Sequence, residues 1–171
     1  KLVTGVQTCA LPIFPTNTAK LEKRGVATQL PCWNSEKCIQ CNMCAFVCPH
    51  AAIRPHLVKP ENLNNAPQDF KCANAMAEKD LKFVIQVSSK DCTGCGVCAS
   101  VCPAKEKAIT MQDATNLMEK ENKNYEFVNS IPSEKSSVFK SNTVKGSQYN
   151  LPYFEFSGAC AGCGETPYLK V

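Results

Sequence analysis

At 171 residues, with a net charge of +4 and 13 cysteines, the chain is long enough for one domain with appendages, and rich enough in thiols for metal ligation to replace part of an apolar core. Its lysines and arginines are dispersed with no run of like charge, which gives no case for nucleic acid, and no apolar stretch approaches the roughly 18 residues that would span a bilayer. Thiols kept reduced for metal imply a reducing compartment, so a cytoplasmic chain is expected, with no membrane partner.

Residues 1–14 superficially resemble a signal peptide, but Thr4, Gln7, Thr8 and Pro12 interrupt any apolar core. The stretch from Val3 through Cys9 to Ile13 resembles the translation of a sequencing-adapter oligonucleotide. Residues 1–14 are therefore expected to be an adapter-derived artefact and are set aside. Residues 15–34 read as a connecting arm, with a short strand over 26–31 bounded by Gly25 and Pro31. Cys32 reads as a bystander thiol.

The chain then reaches Cys38, Cys41, Cys44 and Cys48-Pro49, and later the near copy Cys92, Cys95, Cys98 and Cys102-Pro103. Each is a C-x-x-C-x-x-C-x-x-x-C-P run, the spacing of bacterial two-cluster ferredoxins, in which three sulfurs wrap one four-iron cube and the fourth serves the other. The expected ligand sets are Cys38, Cys41, Cys44 and Cys102 for cluster one, and Cys92, Cys95, Cys98 and Cys48 for cluster two. Structural zinc would more commonly use separated Cys pairs or a Cys/His mixture, and disulfide frameworks belong to short secreted chains. Gly94 and Gly96 flank Cys95 and should let backbone N–H groups approach the sulfurs. His50 reads as a surface or supporting residue, because eight thiols already complete two cubes.

The repeat predicts two pseudo-symmetric halves, each a strand, a ligand loop and a helical turn, in an α+β, bacterial-type two-cluster (2 × 4Fe-4S) ferredoxin-like module over residues 35–128. Residues 54–90 form an insertion between the motifs. Its polar middle should be loop and its Cys72 a structural thiol. A half-buried strand over 81–87 should turn Leu81, Phe83, Ile85 and Val87 inward. A helix is expected over 114–125 and an exposed linker over 129–150. Residues 151–171 change character: an apolar strand is expected to lead into Cys160-Ala161-Gly162-Cys163, and the stretch is expected to be the truncated start of another domain. On the residues alone, Cys160 and Cys163 could hold part of a third cluster, form a redox disulfide or bind zinc.

Several stretches together carry a family likeness: Cys38-Ile39-Gln40-Cys41-Asn42-Met43-Cys44-Ala45-Phe46-Val47-Cys48-Pro49-His50-Ala51-Ala52-Ile53-Arg54-Pro55, Ile85-Gln86-Val87-Ser88, Asp91-Cys92-Thr93-Gly94-Cys95-Gly96, Thr143-Val144-Lys145-Gly146-Ser147-Gln148, and Phe156-Ser157-Gly158-Ala159-Cys160-Ala161-Gly162-Cys163-Gly164-Glu165-Thr166-Pro167-Tyr168. From about residue 14 to 171 the chain resembles the pyruvate:ferredoxin (flavodoxin) oxidoreductases. The resemblance implies a piece comprising the ferredoxin-like domain and the start of the C-terminal thiamine-diphosphate-binding domain. It further implies thiamine diphosphate with Mg and a third 4Fe-4S cluster in the full-length enzyme, where Cys160 and Cys163 match two ligands of the proximal cluster and the rest lie outside the chain. Pyruvate, coenzyme A and most thiamine contacts would also lie outside, so no catalytic residue is assigned here and Glu165 receives no role. The implied partners are ferredoxin or flavodoxin as acceptor, the remaining domains, and a second copy in a homo-oligomer. A relative acting on another 2-oxo acid and a stand-alone ferredoxin carrier are the alternatives.

Overall fold

The computed structural model describes residues 21–170; the adapter-like stretch and Cys9 lie outside the described residues. Strand β1, Gln29–Trp33, pairs antiparallel with β5, Ile109–Asp113, in a register that sets Trp33 opposite Ile109. A second sheet has the order β2-β4-β3, with β2 Ile53–Val58, β3 Ala73–Asn74 and β4 Lys82–Val87. Prolines sit inside two of these strands. Pro31 faces Met111 in a two-stranded ladder, and Pro55 lies in the edge strand β2, positions where a missing N–H can face away from the partner. This is why β1 runs through Pro31, where the sequence led us to expect its end.

Strand β4 presents Phe83, Ile85 and Val87 to a core that also holds Trp33, Ile53, Leu57 and Ile109, together with Cys44 and Cys98. The expected half-buried strand is, however, covered on both faces. Val84 and Gln86 are buried as well, because helix α3 lies over them: Gln86 Nε2 donates to Glu121 Oε2 at 3.2 Å, and Ser89 Oγ donates to the Met118 carbonyl at 2.8 Å.

Two one-turn helices, α1 (Met43–Phe46) and α2 (Val97–Ser100), carry the third cysteines of the two loops, Cys44 and Cys98. Helix α3, Met118–Ser130, begins and ends later than expected. Asp113 Oδ1 takes the Thr115 N–H at 2.8 Å and closes a turn where the helix was expected to start. At the other end Ile131, extended before Pro132, stops it. The expected linker is a strap tied back to the module. The Glu134 N–H donates to the Leu57 carbonyl at 2.7 Å, Glu78 Oε1 accepts from Ser136 Oγ and the Ser137 N–H, and the strap carries a further turn, α4, Val144–Ser147. No strand forms over the described residues 151–156, since no neighbouring strand offers them a ladder. A final short helix, α5, spans Thr166–Lys170.

His56 lies on the face of β2 opposite Ile53, Pro55 and Leu57. Burial, assisted by the charge of Arg54, pushes it down to about 3. Unfolded, it titrates near 6.5, so the unfolded chain binds the extra proton and acid favours unfolding. This contribution is fully present above about 6.5 and is lost progressively as pH falls towards 3, amounting to about 2 kcal/mol at about pH 5. Urea midpoints at about pH 7 and pH 5 should therefore fall further for the parent chain than for His56→Leu; equal falls would refute the assignment.

Candidate metal centre

The two cysteine loops have the same backbone shape but reach it with different residues. Gln40 and Asn42 in the first loop, and Gly94 and Gly96 in the second, all have positive φ, between 55° and 75°. In each loop the first of these donates its N–H to the leading cysteine, Gln40 to Cys38 Sγ and Gly94 to Cys92 Sγ, both at 3.4 Å. The first loop meets the strain of a left-handed Gln and Asn with side-chain anchors. Gln40 Nε2 donates to the Asn74 carbonyl at 2.7 Å and Gln40 Oε1 accepts the Met76 N–H at 2.9 Å, while Asn42 Nδ2 donates to the Lys145 carbonyl at 3.1 Å.

The second loop needs glycine at one position in particular. A Cβ on Gly94 would lie 2.9 Å from the Gln29 carbonyl oxygen, whereas one on Gly96 would meet nothing within 4 Å. Both Gly→Ala changes add left-handed strain of about 1–2 kcal/mol. Gly94→Ala must also displace β1, so it should lower the thermal midpoint of the chain several degrees more than Gly96→Ala does. Equal losses would mean that β1 does not buttress the loop.

Two cavities lie beneath these loops. One is lined by Cys38, Cys41, Cys44 and Cys102, with Phe83 and Ile109 among its apolar walls. The other is lined by Cys48, Cys92, Cys95 and Cys98, with Ile53 and Val87 among its walls. In each cavity three thiols of one run meet the last thiol of the other. None of these eight cysteines is in a disulfide. Among the described residues, no three His, Cys, Asp or Glu side chains close on a single ion.

The electrostatics of the thiols follow the same grouping except that Cys98 also acts on Cys44 across the two sets. Burial pushes Cys92 up to about 11 and Cys98 up to about 12, and Cys48 adds repulsion to both. Cys44 is raised further, by burial first and then by Cys98, Cys38 and Cys41. Burial also raises Cys38, with smaller contributions from Cys41 and Cys102. Four sulfurs that repel one another around an apolar hollow are a donor set suited to a cationic iron core, whose charge offsets both the repulsion and the burial.

The Cys160–Cys163 loop leans against the second cysteine loop. A Cβ on Gly162 would stand 3.7 Å from Cys95 Cβ and 3.8 Å from Val97 Cγ2. Cys160 is exposed, and backbone N–H groups of Thr166 and Glu165 hold the Cys163 thiol below its ordinary value. These two cysteines share neither of the four-thiol cavities.

His50 accounts for how this loop is held, and the sequence reading underestimated its part. It is buried rather than on the surface. Its Nδ1 lies 3.0 Å from the Ser157 carbonyl, an acceptor only, so Nδ1 carries the proton and donates. Its own carbonyl accepts the Phe156 N–H at 2.8 Å, and Arg54 pairs with Glu155 at 3.4 Å. No short motif signals these contacts, because the partners are about a hundred residues apart. Cys32 accepts from Lys71 Nζ at 3.4 Å and stands outside both cavities, as does the partly buried Cys72.

Two cysteine runs folded into paired four-thiol cavities form the donor arrangement of a dicluster iron–sulfur domain, and residues 37–106 match the 4Fe-4S dicluster domain family. Over nearly its whole length the chain is homologous to one segment of the pyruvate:ferredoxin and pyruvate-flavodoxin oxidoreductases. It is 55% identical to the pyruvate:ferredoxin oxidoreductase of Moorella thermoacetica over 93% of this chain. It is 49% identical to the pyruvate-flavodoxin oxidoreductases of Trichormus variabilis and Enterobacter agglomerans, over 92% of this chain in each case. The chain spans only 13–14% of the length of these curated relatives. Among the described residues no helix is long and apolar enough to cross a membrane.

Proposed function

We propose that this chain is the electron-relay segment of a pyruvate:ferredoxin (flavodoxin) oxidoreductase. In this reading Cys38, Cys41, Cys44 and Cys102 hold one 4Fe-4S cluster, and Cys92, Cys95, Cys98 and Cys48 hold the other. When bound, the two clusters supply single-electron storage and transfer. The residues of the chain fix the seats, exclude water with Phe83, Ile85, Ile53 and Val87, and direct backbone N–H groups of Gln40 and Gly94 at the sulfurs.

The observation that carries the direction of flow is the approach of the Gly162 backbone to Cys95 and Val97, close enough that a Cβ on Gly162 would touch both. It supports entry of electrons from the Cys160–Cys163 side, next to cluster two, and exit through cluster one. Cys160 and Cys163 then supply part of a third cluster, completed by ligands outside this chain. Residues 35–128 are the ferredoxin-like domain, 54–90 an insertion that braces the first loop through Asn74 and Met76, 129–150 the strap, and 151–171 the start of the thiamine-diphosphate-binding domain. Pyruvate oxidation to acetyl-CoA and carbon dioxide, with thiamine diphosphate and Mg, belongs to the whole enzyme. So do ferredoxin or flavodoxin as acceptor, homo-oligomer formation and a cytoplasmic location.

Anaerobic reconstitution of the chain with iron and sulfide should yield about two four-iron clusters. Once reduced, the chain should pass electrons to flavodoxin or ferredoxin without consuming pyruvate. Zinc in the same sites, no cluster, or a reduced chain that neither carrier reoxidises would overturn the proposal.

A further inference from the structure

The strap brings a cation to the first cysteine loop. Gly146 permits this approach, because a Cβ there would fall 2.0 Å from the Lys140 carbonyl oxygen. Thr143 Oγ1 accepts the Gly146 N–H at 3.1 Å and caps α4, and the Lys145 carbonyl accepts from Asn42, the residue between Cys41 and Met43, at 3.1 Å. The side chain is held as well as the backbone. Lys145 Nζ sits 4.0 Å from the centroid of Phe139, and Phe139 stacks on Tyr149, which packs against the core under the loop. Partial burial holds the Lys145 ammonium below its ordinary value, and Cys41 and then Cys38 act on it in the opposite direction. On the second loop the charged side chain that acts on Cys92 besides its fellow thiols is Asp91, whose carboxylate is offset by its ion pair with Lys23.

We propose that Lys145 is a positioning residue that fixes a positive charge beside the cluster seated by Cys38, Cys41, Cys44 and Cys102, and so raises its reduction potential relative to the cluster seated by Cys92, Cys95, Cys98 and Cys48. The inference rests on the reading of the two cavities as cluster seats. Each electron added makes a cluster more negative, so a nearby cation stabilises the reduced form more than the oxidised one. One unit charge at a partly buried boundary biases the ratio of the two forms about tenfold. For a one-electron couple that is about 59 mV. The bias runs downhill from the Cys160–Cys163 side towards cluster one, the direction required if that cluster hands electrons out.

The test is a redox titration of the reconstituted 171-residue chain followed by electron paramagnetic resonance. The wave of cluster one is identified as the one that survives in Cys48→Ala. Lys145→Met keeps the apolar stem on Phe139 and removes the charge; it should lower that wave by about a tenfold ratio and leave the other in place. Lys145→Arg should restore it. Lys123→Gln, the same change in net charge on α3 across the sheet, should move neither wave. Phe139→Leu frees the ammonium and should reproduce part of the shift, which keeps the question answerable if Lys145→Met fails to load cluster one. An unmoved first wave in both Lys145→Met and Phe139→Leu, or an equal movement of both waves, would overturn the role of Lys145. A parent chain that holds no cluster would overturn the reading of the cavities instead.

Discussion

Cys48→Ala is expected to abolish the cluster seated by Cys92, Cys95 and Cys98, more than forty residues away in sequence, and to spare the cluster seated by the cysteines immediately before it. Cys48 lines the cavity of the second loop and adds repulsion to Cys92 and Cys98, whereas the first cavity is completed by Cys102. Iron and sulfide should fall to about half, because a cube with one unligated iron is readily lost. Cys102→Ala should do the reverse. Spectra of the two single-cluster variants should then add up to that of the parent chain. Loss of the nearer cluster in Cys48→Ala, with the farther one intact, would show that each run serves its own cube and would remove the covalent tie between the halves.

Phe83→Ala should be the most damaging change away from the cysteines. The ring is fully buried, meets Trp33 edge-on at 6.0 Å and 67°, and forms a wall of the first cavity. Deleting a ring of this kind costs about 3–5 kcal/mol, a large share of the 5–15 kcal/mol that holds a typical domain together. The cavity left behind also opens the first seat to water and oxygen. Chemical unfolding should therefore show the loss in stability, and exposure to air should bleach cluster one faster than cluster two. Val84→Ala provides the comparison. Val84 is as deeply buried, but it is on the α3 face of the same strand and removes fewer atoms, so its cost should be smaller and the bleaching rates unchanged. Preferential bleaching of cluster one in Val84→Ala as well would mean that general loosening, not the wall of the seat, protects the cluster.

The sequence by itself marked out the two cysteine runs and the strand that backs them. Cysteines at C-x-x-C-x-x-C spacing shape a ligand loop through local geometry, and Gly94 and Gly96 beside Cys95 leave room for backbone N–H groups to approach the sulfurs, as the Gly94 N–H does at Cys92. The alternation of residues 81–87 likewise identified β4, since strand period is a local property. Only the tertiary structure showed that the first loop takes the same left-handed path with Gln40 and Asn42, because their strain is offset by partners at Asn74, Met76 and Lys145, up to 103 residues away. It also decided that β4 is covered on both faces, that the polar stretch after α3 is a strap rather than a free linker, and that the Cys160–Cys163 loop is held through His50, Arg54 and Gly162. Each of these depends on which surfaces of distant segments meet. A hydrogen bond such as His50 to Ser157, across 107 residues, leaves no periodicity or composition for the chain to display, because it exists only once packing has brought its two ends together.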